Sequence, residues 1–283
     1  MTKPWILLLH CPDRKGLVAA IAQFLFERGG NILHAAQHQD NDLNLFFMRV
    51  EFALDDASER ASLREQFGAL AQRYGMEWEL SNQEQLPKVA IFVSQYLHCL
   101  NDLLFRHHAG ELQCEISLLI SNHEDARPLA DFYKIPFHHV PVTKETKLQA
   151  EERQTTLLRE NGVELVVLAR YMQVLSPGFC AAYPRRIINV HHSFLPAFTG
   201  AKPYHAAFAR GVKLIGSSSH YVTEVLDEGP IIEQDVMRIS HDDQLGDLIQ
   251  KGRDLERLVL SRAVRWHLER RILSYANKTV IFN

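Results

Sequence analysis

Hydrophobic residues recur along this chain in two rhythms, short apolar runs and a three-to-four-residue spacing, and the two take turns. Trp5 to Leu9 is an apolar run of strand length. His10-Cys11-Pro12-Asp13-Arg14-Lys15-Gly16 follows it, where Pro, Asp and Gly mark a turn. Leu17, Ile21, Phe24 and Leu25 then recur at helical spacing, and Gly29-Gly30 predicts the helix end. Asn31 to Gln39 and Leu43 to Leu54 read as strands. Ser58 to Tyr74 reads as a helix with Leu63, Phe67 and Leu70 on one face, and Met76 to Leu80 as a fourth strand. The polar stretch Ser81-Asn82-Gln83-Glu84-Gln85-Leu86-Pro87 closes on proline and predicts a linker.

Beyond the linker the pattern becomes a regular alternation. Lys88 to Ser94, Ile116 to Ser121, Phe137 to Val140 and Val163 to Ala169 read as strands. Leu97 to His107, Ala126 to Tyr133 and Lys147 to Asn161 read as the helices between them. Ile187-Ile188-Asn189-Val190-His191 is another apolar strand. Gln244 to Leu273 carries one long helical stripe (Leu245, Leu248, Ile249, Leu255, Leu258, Val259, Val264), which predicts core packing. The first segment has the β-α-β-β-α-β order of a ferredoxin-like unit. The second predicts a doubly wound, mostly parallel sheet, whose ligands bind beyond the carboxyl ends of the strands, where the loops after Ser94, Ala169 and His191 should lie. The expected organisation is an α/β chain of two domains, 1–82 and 88–283, joined by 83–87.

Composition narrows the classes. A chain of 283 residues with 46% hydrophobic and 23% charged residues has the make-up of a soluble globular protein. A formal net charge of −3 gives no electrostatic case for nucleic acid or an anionic membrane as partner. No stretch approaches the roughly 18 apolar residues that predict a membrane helix. Cys11, Cys99, Cys114 and Cys180 are widely spaced with no Cys-x-x-Cys pair, which predicts reduced thiols and a cytoplasmic location rather than disulfides or a zinc clip.

The candidate chemistry lies between Ile187 and Ile232. Residues two apart on a strand share a face, so Asn189 and His191 point the same way at the end of theirs. The amide can donate a hydrogen bond and the imidazolium can donate a proton or stabilise an oxyanion. Gly216-Ser217-Ser218-Ser219-His220 supplies another histidine, and Asp227 stands before Glu228-Gly229-Pro230. Acid, amide and imidazole are the parts for attack on a carbonyl. Taken alone, His191 reads as one of 15 histidines with no special role and Asp227 as a turn residue. Their combination with Asn189 favours chemistry. His192 should point away from Asn189 on the strand and is expected to be structural.

The run Asn189-x-His191-x-Ser193-x-Leu195-Pro196, the histidine in the Gly-Ser-rich strand, and Asp227-x-Gly229-x-Ile231-Ile232 resemble the formyltransferase catalytic domain, a family that uses 10-formyltetrahydrofolate. The resemblance implies that Asn189 and His191 stabilise the oxyanion. Asp227 would orient or deprotonate the nucleophile and keep His191 charged, and His220 would support the site from behind. It also implies a folate pocket at Arg170-Tyr171-Met172-Gln173-Val174-Leu175, where Met172, Val174 and Leu175 pack on the pterin and the backbone around Arg170 and Gln173 hydrogen-bonds it.

Family members that act on glycinamide ribonucleotide carry a glycine-rich loop after the first strand, which cradles the substrate phosphate. Here that loop is Ser94-Gln95-Tyr96-Leu97-His98-Cys99, without glycine, so that acceptor is not expected and water becomes the natural nucleophile.

The first segment, with Asp13-Arg14-Lys15-Gly16-Leu17 at its turn and Gly29-Gly30-Asn31-Ile32 entering its second strand, resembles an ACT domain. That implies edge-to-edge pairing into a homo-oligomer. It implies either an amino-acid effector at Asp13, Gly16 and Asn31 or a domain that only joins subunits. An ACT domain followed by a formyltransferase domain resembles the formyltetrahydrofolate deformylase family over nearly the whole chain. The implied reaction is hydrolysis of 10-formyltetrahydrofolate to formate and tetrahydrofolate, with no cofactor beyond the folate substrate. No metal is implied, because His123-Glu124 lacks the second histidine of a His-Glu-x-x-His helix. Two alternatives remain at this point: formyl transfer to an amine without phosphate, and an amino-acid sensor whose enzymatic half has decayed.

Overall fold

A computed structural model describes residues 4–54, 57–82, 85–197 and 203–282. The chain divides into two compact units: one runs to Leu86 and adds Arg270–Tyr275 and the residues from Thr279, and the other holds Pro87–Glu269 with Ala276–Lys278. Gln83 and Glu84 of the expected linker lie outside the described residues.

The first unit begins with β1 (Trp5–Pro12), α1 (Leu17–Phe26), β2 (Asn31–Asp40), β3 (Leu45–Ala53), α2 (Ala57–Tyr74) and β4 (Glu77–Asn82). The sheet order is β2-β3-β1-β4, with every pair antiparallel. The unbroken apolar run of β1 is explained by burial on both faces. Leu7, Leu9 and Cys11 enter the core built with Leu17, Ile21 and Phe67, while Ile6 and Leu8 pack with Phe47, Tyr275 and Phe282 on the other side. Gly16 sits at φ 90°, a left-handed conformation that turns β1 into α1.

The second unit contains β5 (Lys88–Val93), α3 (His98–His108), β6 (Glu115–Ser121), α4 (Arg127–Tyr133), β7 (Phe137–His139), α5 (Lys147–Glu160), β8 (Leu165–Ala169), α6 (Pro177–Ala182), β9 (Ile187–His191), α7 (Pro203–Arg210), β10 (Leu214–Tyr221), β11 (Ile231–Arg238) and α8 (Leu245–Leu268). Its seven strands lie in the order β11-β10-β9-β8-β5-β6-β7. Strands β5 to β9 are parallel, and β10 and β11 are antiparallel additions. The chain winds from β5 toward β7, then returns to β8 on the other side of β5. Such a reversal opens a crevice at the carboxyl ends of β5 and β8.

The long helix ends at Leu268, not at Leu273. Arg270 turns back at φ 52°, and β12 (Ile272–Tyr275) and β13 (Lys278–Ile281) form a two-stranded hairpin whose strands, apart from Lys278, belong to the first unit. The segment 88–283, expected as one domain, therefore gives its last strands to the other unit. Leu268, Ile272 and Leu273 continue the helical spacing, and the left-handed position is an arginine, so nothing in the pattern marked the stop. Strand β11 and helices α6 and α7 were also not read from the sequence.

Candidate active site

Register sets the core of the site. β9 ends at His191, so Asn189 and His191 share a face at its last turn of pleat. Antiparallel β10 places His220 directly opposite Asn189 and Ser218 opposite His191. The serines of β10 tie down the backbone of β9 and the segment after it. Ser219 Oγ donates to the Asn189 carbonyl (3.0 Å), Ser217 Oγ to that of His191 (2.7 Å) and Ser218 Oγ to that of Ser193 (2.9 Å). Small hydroxyl side chains fit here because all three serines are fully buried and each can satisfy a carbonyl next door.

Asp227 reaches the same place from the loop between β10 and β11. Tyr221 N–H bonds to Pro230 O at 3.0 Å and closes that loop. Gly229 passes so near Tyr221 that a Cβ there would lie 1.7 Å from the Tyr221 carbonyl oxygen, which makes glycine a requirement of the close approach. Asp227 itself holds φ 57°, a left-handed conformation that aspartate tolerates better than most residues and that strained functional loops retain.

The result is a carboxylate between two imidazoles. His191 Nδ1 lies 3.1 Å from Asp227 Oδ2, and His220 Nε2 lies 3.6 Å from Oδ1. Asn189 Nδ2 is 3.3 Å from His220 Nε2, and His220 Nδ1 donates to the Tyr221 carbonyl at 2.9 Å. Burial alone would push the Asp227 carboxyl up. The hydrogen bonds from His191 and His220 outweigh it and hold the group well below the usual carboxylate range. His191 Nε2 is buried and has no hydrogen-bond partner among the described residues, while its ring lines the pocket. An imidazole fixed at one nitrogen and unsatisfied at the other is built to meet a substrate atom.

The pocket has a volume of about 440 Å³. Arg170 to Leu175 form one wall, and Val222, Thr223 and Leu226 contribute another. Asn189, His191, His192, His220 and Asp227 are its convergent polar groups. Every residue expected at the catalytic and folate sites therefore borders one cavity. Met172 and Val174 are half-exposed apolar side chains within it, while Leu175 is buried and also belongs to the core under the sheet. The Arg170 guanidinium is directed at Glu256, with Nε 3.4 Å from Oε2, so its contribution to the pocket is mainly its backbone.

Three features escaped the sequence reading. His192 lines the pocket instead of pointing away, because β9 has already ended and strand alternation no longer governs it. Thr223 and Leu226 complete the wall, and the only signal for them was an apolar pair, Val225-Leu226, left exposed in a loop. Glu256, within the long helix but outside its apolar stripe and not singled out from the sequence, is a buried carboxylate behind the pocket.

After β5, Ser94 is bonded in place rather than open to a ligand. Its N–H goes to the Arg170 carbonyl (3.3 Å), its hydroxyl donates to Asn122 Oδ1 (2.7 Å), and it accepts from Met172 N–H (3.0 Å). Among the described residues one trio, His98, Cys99 and Glu256, brings metal-ligating atoms within 4.8 Å of one another. The Arg170 guanidinium already supplies positive charge to that carboxylate.

In the first unit, Asp13 and Gly16 border a cleft with Gln37 and Gln39, and Gln39 Nε2 donates to Asp13 Oδ2 at 2.7 Å. Asn31 does not join them. It lies at the other end of β2, about 20 Å along the strand from Gln37 at the usual rise per residue.

The comparisons with known proteins agree with this architecture. A family model described as formyl transferase matches residues 87–264, and one described as ACT domain matches residues 5–68. A formyltetrahydrofolate deformylase of Synechocystis sp. is 53% identical over 277 residues, covering 98% of this chain and 97% of the relative. One from Bacillus subtilis is 50% identical over 279 residues, covering 98% and 93%. The crystal structure of a formyltetrahydrofolate deformylase from Pseudomonas syringae pv. tomato superposes with a TM-score of 0.96 at 45% identity, covering 100% of this chain and 95% of that one. With both units matched in order and the likeness extending from end to end, the chain belongs to the formyltetrahydrofolate deformylase family.

Proposed function

We propose that this chain hydrolyses 10-formyltetrahydrofolate to formate and tetrahydrofolate, with Asn189, His191 and Asp227 as its catalytic groups and no metal or cofactor besides the folate. The observation that carries the reading is the His191–Asp227 pair at 3.1 Å, in a histidine that lines a folate-sized, largely apolar pocket and whose buried Nε2 has no hydrogen-bond partner among the described residues.

Water adds to the formyl carbon, and a tetrahedral intermediate forms with its charge on the former carbonyl oxygen. Asn189 Nδ2–H and His191 Nε2–H donate to that oxygen, and each such donor contributes about 3–4 kcal/mol of transition-state stabilisation in comparable sites. Asp227 orients His191 and the attacking water. A carboxylate held so far below its usual range is a weak base, so its main contribution is electrostatic. As the C–N bond breaks, the proton lost by the attacking water passes by way of the Asp227 carboxylate to N10, which leaves as the amine of tetrahydrofolate, and the former water oxygen stays on formate. His220 donates to the Tyr221 carbonyl and steadies Asn189 and Asp227 from behind. The Arg170–Leu175 segment and Leu226 hold the pterin between apolar walls.

Water is favoured over an amine acceptor because the Ser94 N–H, which would face a phosphate in a glycine-rich loop, is already bonded to Arg170. The ACT unit supports pairing of subunits along the exposed edge of β2, and the Asp13–Gly16 cleft suits an amino-acid effector. Four buried free cysteines fit a reducing, cytoplasmic setting. The test is formate release from 10-formyltetrahydrofolate in amine-free buffer, repeated with glycinamide ribonucleotide added. Formate in both and no formylated ribonucleotide is expected. Formylated ribonucleotide as the main product would make the chain a transferase.

A further inference from the structure

Behind the pocket, α8 carries a carboxylate that the reaction does not use. Glu256 is 1% exposed, and both of its oxygens are occupied by side chains from three separate elements. Oε2 accepts from His98 Nε2 at 2.7 Å, at the start of α3, and pairs with Arg170 Nε at 3.4 Å, just after β8. Oε1 accepts from the Tyr204 hydroxyl at 2.6 Å, on α7. A carboxylate removed from water is costly unless it is well paired, so a threefold clamp of this kind implies a use beyond stability.

The helix is shaped to permit the clamp. One turn before Glu256, a Cβ on Gly252 would lie 2.2 Å from the Tyr204 ring. Glycine inside a helix is unfavourable relative to alanine. Here it leaves the gap through which the tyrosine reaches Glu256. Burial alone would raise the Glu256 carboxyl. The hydrogen bond from His98, the Arg170 charge and the Tyr204 hydroxyl together hold it below its ordinary value, so the clamp is ionic.

Arg170 connects the clamp to the pocket. It sits at φ 62°, a left-handed conformation unusual for arginine, where the chain leaves β8 and turns into the pocket wall. Its main-chain carbonyl accepts from Ser94 N–H, and its guanidinium is ion-paired with Glu256 at 3.4 Å, without a hydrogen bond at Nε. Tyr204 carries the same clamp toward the catalytic side: its ring lies 6.2 Å from that of His192, which lies 5.0 Å from that of His191.

We infer that Glu256 is a positioning residue for folate binding, fixing Arg170 in its left-handed turn and thereby the Tyr171–Leu175 wall on which the pterin rests. This rests on the proposed function, in which that wall binds the folate. Glu256 touches no reacting atom, so its loss should appear in binding of the folate and not in the chemical step.

The test is steady-state kinetics of Glu256→Gln, which keeps the volume and removes the charge, with thermal unfolding measured on the same samples. The expected result is a KM for 10-formyltetrahydrofolate raised about tenfold with kcat within about threefold of wild type. An unchanged KM in folded protein overturns the inference, and so does a fall in kcat with KM unaltered. Tyr204→Phe removes one donor at nearly constant volume and carries the test should Glu256→Gln not fold. It is expected to raise KM about threefold, and an unchanged KM would again overturn the inference. Met172→Ala, assayed in parallel, separates the two claims. If it also leaves KM unchanged, the wall does not bind folate and the underlying reading fails. If it raises KM while Glu256→Gln does not, only the positioning role fails.

Discussion

Asn189 has two amide N–H bonds. His220 Nε2 lies 3.3 Å from Asn189 Nδ2 and 3.6 Å from Asp227 Oδ1 and keeps the amide beside the carboxylate. The amide borders the pocket, where an N–H can meet a developing oxyanion. Asn189→Ala is therefore expected to lower kcat by about 10²–10³ with little change in KM. A rise in KM alone, in the same steady-state assay, would make Asn189 a binding residue. Asp227 adds a dependence on pH. Its folded carboxyl is held below the unfolded value of about 3.9, so the stabilisation it confers is fully present above that value and is lost as pH falls through the lowered folded one. Denaturant unfolding of wild type and Asp227→Asn between pH 7 and pH 2 should show the wild type losing stability relative to the variant only below about pH 4. A relative loss already between pH 7 and 5 would assign the titration to another group.

At the scale of elements, the loop after β10 depends on one contact. Gly229→Ala would drive a methyl into the Tyr221 carbonyl, and overpacking of this kind costs about 1–3 kcal/mol. The same shift would move Asp227, so a large fall in kcat should accompany the loss in melting temperature. Normal activity would show that the loop relaxes without moving the carboxylate. This element also shows where the sequence was legible. Asn189 and His191 could be placed on one face because strand alternation is a local signal, whereas His220 and Asp227 stood out only through the motif run that resembles the formyltransferase family. The strands of β5, β6 and β8 could be read because parallel strands buried on both faces are nearly continuous apolar runs. His192 was misplaced because alternation stops where β9 stops. The end of α8 was misread because Arg270 adopts a left-handed turn without the glycine that usually announces one. Glu256 was invisible because its meaning depends on His98, Arg170 and Tyr204, which come together only in the fold.

For the molecule as a whole, the C-terminal hairpin is part of the first unit's core. Phe282 is buried against Phe47, Ile6 and Leu8, so Phe282→Ala should destabilise that unit by about 3–5 kcal/mol in denaturant unfolding. An effect under about 1 kcal/mol would show that the hairpin only rests on the sheet. We propose that copies pair along β2, an edge strand of its sheet on which Leu33 is 53% exposed. Leu33→Lys should shift the particle mass seen by light scattering from an even-numbered assembly toward the single chain, and an unaltered mass would place the contact elsewhere. Hydrolysis by water and three side chains is tested most directly by measuring formate release and tetrahydrofolate binding on the same preparations of wild type and Asp227→Asn, with no amine present. Formate from the wild type, none from the variant, and equal folate binding by both are expected. Near-normal formate from Asp227→Asn would contradict that mechanism.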